Sequence, residues 1–131
     1  MNFNKIEPIE NRKFRAAFIL KPGFNFHALR SHCQRIVFAT DGVMTDLDQI
    51  CSQLSMSFED FDPEKDCIVP VGTAISNLLA GTILALKFPD SSITVAIYNR
   101  ENRVDGRDGD PTDYIFYDVP IMSFVLPKIG E

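Results

Sequence analysis

The chain has 131 residues, 45% of them apolar and 24% charged, a size and balance that fit one folded domain and exclude a disordered segment. Its net charge is −5, and its basic residues are dispersed apart from Arg12, Lys13 and Arg15 near Lys5, which argues against nucleic acid and against an anionic membrane as partners. Three cysteines, Cys33, Cys51 and Cys67, form no C-x-x-C pair, which excludes a disulfide framework and a zinc site; with no apolar leader after Met1 they lead to the expectation of a reducing, cytoplasmic location.

Residues 1–12 read as an extended arm. A first strand is expected over 14–20, stopped by Lys21-Pro22-Gly23, a strong turn signal. Asn25 is placed to cap a helix to about Cys33, with Phe26, Leu29 and Cys33 on one face. Residues 35–39 are nearly all apolar, as strands covered on both faces are. The turn Thr40-Asp41-Gly42 leads to a helix from Thr45 to about Met56, with Asp46 and Asp48 in its first turn and Leu47, Ile50, Cys51 and Leu54 as its apolar stripe. An acidic loop over 58–65 precedes a third strand, 67–69, and a helix over 73–86. A fourth strand at 92–99, a polar loop at 100–112, a fifth strand at 113–119 and a tail at 120–131 with an apolar run at 121–126 complete the chain.

This order predicts a single α/β domain with about five strands in a mainly parallel or mixed sheet and three helices; a two-layer α+β sandwich is the alternative. Residues 67–86 carry no charge, but Pro70 and Gly72 break the run, and the helical part is shorter than the ~20 residues of a membrane span. Within it, Thr73, Asn77, Gly81 and Ala85 make a small-residue stripe opposite Ile75, Leu79, Ile83 and Leu86. That pattern predicts the central helix of the core or a homodimer interface.

Three segments bear on chemistry. IVFATDGVMTD, residues 36–46, resembles the first motif of haloacid dehalogenase-type phosphatases, in which a first Asp is the nucleophile and a second the general acid. Ala39 stands where the nucleophile belongs, and only Asp41 matches the acid position; the stretch 109–113 is faintly similar to the family's acidic metal motif. As residues, 36–46 read as a strand–turn–helix joint. Second, Val69-Pro70-Val71-Gly72-Thr73 opens a helix whose free N–H groups attract anions, but no Lys or second Gly follows, so neither a Walker loop nor a dinucleotide fingerprint is present. Third, the carboxylates of 58–66 lack the Gly and Glu spacing of a calcium loop, and His27 and His32 point about 140° apart on a helix.

Neither a cofactor nor a metal is therefore expected, and no catalytic set is complete. The leading expectation is a non-enzymatic binding, regulatory or assembly protein that pairs with itself, or with another protein, through helix 73–86 or the C-terminal apolar run. The competing expectation is a small-molecule or phosphate-ligand binder, or an enzyme, with a pocket formed by Thr40, Asp41, Gly42, Gly72, Thr73 and Asn77 at strand C-terminal ends. Asp41 is then the candidate acid/base group.

Overall fold

Strand β1 (Phe14–Ile19) is buried along its length, with only Arg15 short of full burial. In the computed structural model, which describes residues 6–10, 12–22, 26–42, 46–98 and 114–120 (for His27 the backbone alone), four further strands join it. They are β2 (Cys33–Phe38), β3 (Asp66–Val69), β4 (Ile93–Tyr98) and β5 (Tyr114–Val119), in the spatial order β2-β1-β3-β4-β5. The first four run parallel, and β5 is antiparallel to β4. The class is thus α/β with a mixed five-stranded sheet.

Strand order explains where the helices lie. The chain leaves β1 in one direction to make β2, then crosses back over β1 to β3 and on to β4. Right-handed crossovers running in opposite directions place their connections on opposite faces. Accordingly α1 (Leu47–Ser57) and α2 (Ala74–Lys87) share one face, where Ile50, Leu54, Ala80 and Leu84 pack on Ala16, Phe18, Leu20, Ile68 and Ile93. The other face carries Ala17, Ile19, Cys67, Val69, Ala96 and Phe116, covered by Phe26, Ala28 and Leu29. Fully burying side chains such as Phe18, Leu20 and Leu54 contributes about 1.5–3 kcal/mol each.

Two α-helices are present among the described residues, not three. The expected first helix is a five-residue 3-10 helix, His27–Ser31, whose N-cap Phe26 makes no side-chain capping bond. The reason is tertiary: β2 begins at Cys33, two residues earlier than its apolar run suggests. There it pairs with Phe14, whose N–H donates to the His32 carbonyl at 2.7 Å. Strand pairing consumes the residues a longer helix needs.

Helix α2 also departs from the expectation of a central core helix. It buries only Ala80 and Leu84 fully, and it forms the outer layer. Of the expected arm, residues 6–10 and 12 are described: the Ile9 N–H donates to the Phe116 carbonyl at 2.8 Å and Pro8 bridges Tyr117, so this segment lies along β5. The expected C-terminal apolar run, 121–126, and the loop 100–112 lie outside the described residues.

The acidic loop is an ordered turn built around a buried carboxylate. Asp66, with no exposed surface, opens β3 and accepts from Arg15 Nε at 3.0 Å, Arg15 Nη2 at 2.6 Å and the Asp62 N–H at 2.8 Å. Arg15 Nη2 also donates to the Asp60 carbonyl, and the Arg15 N–H donates to that of Lys65 at 2.8 Å. The hydrogen bond to Asp66 raises the Arg15 guanidinium further above its ordinary range. Alternation in β1 skips at Arg15, since Phe14 falls in the same cluster as Ala17 and Ile19.

Replacing Asp66 leaves the Asp62 N–H without its acceptor. Asp66→Ala is expected to lower unfolding free energy by about 1–3 kcal/mol in urea titrations. Arg15→Met in the Asp66→Ala background is expected to add little, so the double-mutant cycle is non-additive; full additivity would show that the pair does not act as a unit.

Candidate functional site

The turns that follow β1, β2 and β3 meet at the C-terminal ends of these strands. This is the point where strand order reverses, β1 leading outward to β2 and β3 leading outward to β4, and open α/β sheets place their ligands at such points. Two of the turns hold a glycine in the left-handed region, Gly42 at φ +82° and Gly72 at φ +97°. Both press on the same segment. A Cβ on Gly42 would lie 3.2 Å from Pro22 Cδ, and one on Gly72 would lie 3.1 Å from Lys21 Cβ. The Lys21-Pro22 turn is therefore clasped from both sides by backbone that lacks side chains.

Side-chain hydrogen bonds hold the same region. Thr40 Oγ1 donates to the Leu20 carbonyl at 2.7 Å and accepts from the Gly42 N–H at 3.2 Å. Asp41 and Gln53 of α1 bond reciprocally: the Asp41 N–H donates to Gln53 Oε1 at 3.1 Å, and Gln53 Nε2 donates to Asp41 Oδ2 at 3.0 Å. Helix α1 is capped by Asp46, which accepts from the Gln49 N–H at 2.7 Å, so the expected cap at Thr45 gives way to the next residue. Helix α2 is capped by Thr73, which accepts from the Ser76 N–H at 3.3 Å.

These turns enclose a cleft of about 70 Å3, roughly the space of two waters at ~30 Å3 each. Its floor is apolar, Leu20 and Ile50, and its rim is polar, with Lys21, Thr40, Gly42, Thr73 and Ser76. Of the candidate residues read from the sequence, Thr40, Gly42 and Thr73 line this cleft together. Gly72 is outside the lining, on backbone where an added Cβ would meet Lys21. Asp41 is exposed, bonded to Gln53, and outside the cleft lining. Asn77 is also outside it: its Nδ2 donates to the Thr73 carbonyl at 2.8 Å, while its buried Oδ1 has no partner among the described residues.

Lys21 and Ser76 were not legible as site residues. Lys21 follows an ordinary strand and reads as the start of a turn, and only the clasp by Gly42 and Gly72 brings its neighbours around a concavity. Ala39, where the phosphatase motif needs its nucleophile, is buried, and its carbonyl accepts from Ser57 Oγ at 2.9 Å.

A second, wider cleft of about 310 Å3 opens at the opposite end of the sheet, between Arg12, Glu64, Asp90, Thr94 and Asp118. Three of its polar groups bind one another. Arg12 Nη2 donates to the buried Thr94 hydroxyl at 3.1 Å, and that hydroxyl donates to Asp118 Oδ1.

All three cysteines are free. Burial, with smaller contributions from neighbouring Cys33 and Asp66, pushes the Cys67 thiol far above the usual thiol range, so it stays protonated and unreactive. Among the described residues no three His, Cys, Asp or Glu side chains converge to hold a metal ion, and no helix is long and apolar enough to cross a membrane. Set beside known proteins, the chain matches no family model, no curated protein and no solved structure.

The glycines give a direct check on this geometry. Gly42→Ala and Gly72→Ala place a side chain at positive φ against Pro22 and Lys21, and each is expected to destabilise the fold by about 1–3 kcal/mol. Gly81→Ala, in the middle of α2 with nothing within 4 Å of the new methyl, is expected to stabilise it by up to about 1 kcal/mol. Thermal melts of the three variants read the contrast directly.

Proposed function

We propose that the protein is a non-enzymatic binding and assembly protein of the reducing cytosol, working as a homodimer paired through the outer face of α2. The observation that carries this reading is the character of that face. Ala74, Leu78, Thr82 and Leu86 recur every fourth residue, and all four are exposed, Leu78 by 64% and Leu86 by 77%. Thr82 Oγ1 donates to the Leu78 carbonyl at 2.9 Å, so its hydroxyl is satisfied within the helix. The stripe runs for about 18 Å without a charged group until Lys87.

The occupant follows from charge. Two copies that each carry a net −5 repel over most of their surfaces. A face free of charge is where they can meet at least cost, and burying leucines at about 25 cal/mol per Å2 favours the contact. Half-buried Gly81 and Ala85, beside the stripe, keep the helix narrow enough for close approach.

Light scattering coupled to size exclusion is expected to show a dimer that persists over about a hundredfold dilution. Leu78→Glu combined with Leu86→Glu is expected to give a monomer with unchanged circular dichroism. A wild-type chain that is monomeric at every concentration would end this reading.

A second reading rests on the cleft at the strand ends. Its size, its hydroxyls, Lys21 and the N-terminus of α2 support a small anion such as phosphate as ligand. Inorganic phosphate is then expected to raise the melting temperature by a few degrees, about 2–8 °C per kcal/mol of binding free energy, and Lys21→Met is expected to abolish the rise. An equal rise in Lys21→Met would assign the effect to bulk salt.

A further inference from the structure

The two edges of the sheet are treated differently. On the β5 side the arm closes the edge through the Ile9 N–H bond to Phe116 and the Pro8–Tyr117 bridge. On the other side, among the described residues, no strand pairs with the outer edge of β2. An open edge presents unpaired N–H and C=O groups, which accept an added strand.

Charge around this open edge is of one sign. From position 11 to 40 the charged residues are Arg12, Lys13, Arg15, Lys21, Arg30 and Arg35, with no carboxylate among them, in a chain whose net charge is −5. The fold divides these cations by task. Arg15 is bound to Asp66, Arg12 to Thr94, and Lys21 lines the cleft. Lys13, Arg30 and Arg35 are exposed; Arg30 and Arg35 belong to β2 or its approach, and Lys13 precedes β1. Arg35 is on β2 itself, Arg30 is in the 3-10 helix that precedes it, and Lys13 Nζ reaches the Ser31 carbonyl beside it. Burial raises the thiol of Cys33, the first residue of β2, and a backbone hydrogen bond at Ala17 and the nearby charges of Arg30 and Lys13 oppose that rise. Phe38, at the far end of β2, is 47% exposed and offers an apolar anchor.

We infer that the open edge of β2 is a docking site for an acidic, extended segment of another protein, which adds to the sheet as a sixth strand. The backbone of β2 supplies the pairing, and Lys13, Arg30 and Arg35 select for carboxylates. The same charges exclude a second copy of this chain, since pairing β2 with β2 brings like charges face to face. A nucleic acid fits less well, because three exposed cations are few for a phosphate backbone and the chain as a whole carries a net charge of −5. This site does not involve α2, so it stands or falls separately from the dimer.

The test uses a labelled peptide of alternating Glu and Val and reads fluorescence anisotropy and amide hydrogen exchange with the full chain. Binding is expected, together with slowed exchange at the outward-pointing amides among residues 34–37, those not already bonded to β1. It is expected to weaken about tenfold in the variant carrying Arg30→Glu and Arg35→Glu, both at exposed positions, with circular dichroism confirming the fold. The same peptide N-methylated along its centre keeps every charge but loses its backbone donors, and it is expected not to bind. Equal binding of the N-methylated peptide, equal binding of a Lys–Val peptide or of oligothymidylate, or no added protection of the β2 amides would each overturn the inference.

Discussion

A strand that must be covered on both faces organises this protein. Strand β1 has parallel neighbours on both sides, and Phe18 and Leu20 point to one layer while Ala17 and Ile19 point to the other. Neither set can be left in water without losing the burial that stabilises the domain. The chain therefore supplies a layer on each face, and right-handed crossovers distribute those layers by the direction in which each connection leaves. The face crossed twice receives two full helices, and the face crossed once receives a single 3-10 turn.

The same constraint makes the cleft and the buried ion pair. Because β1 lies between β2 and β3, its two ends are crowded by the connections of these neighbours. At the C-terminal end the crowding is met by removing side chains: Gly42 and Gly72 adopt positive φ and close upon Lys21 and Pro22. At the N-terminal end it is met by polar satisfaction, with Asp66 fully buried and its oxygens taken by Arg15 and the Asp62 N–H. A buried carboxylate at a strand start is tolerated because every oxygen has a donor.

Much of the architecture is legible from residue pattern. Apolar runs of strand length, the Pro-Gly and Asp-Gly turns, and capped helical stripes locate five strands and both α-helices to within about two residues at each end. Where the reading goes astray, a distant partner decides. The first connection shortens to a 3-10 helix because Phe14 recruits Cys33 into pairing. The acidic loop closes into an ordered turn because Arg15, far away in sequence, faces Asp66. Helix α2 reads as the centre of the core because it is apolar nearly all round, yet an element is central only if others cover it, and composition does not tell what covers it. Of the candidate site, Thr40, Gly42 and Thr73 are legible as turn and cap residues that meet at strand ends; Asp41 turns instead to Gln53, twelve residues on, a bond with no sequence signature.

By itself, then, the amino-acid order determines local matters: which stretches are strand, turn or helix, and that their alternation makes an α/β fold. These follow from propensities and periodicities that act over a few residues. Tertiary structure alone decides that β1 lies between β2 and β3, that the arm pairs along β5 while no described strand pairs with the outer edge of β2 beside Lys13, Arg30 and Arg35, and that Leu78 and Leu86 face outward. The physical reason is that burial and pairing are properties of contacts between segments remote along the chain, and a linear pattern specifies which residues seek such contacts without specifying which partner each one meets.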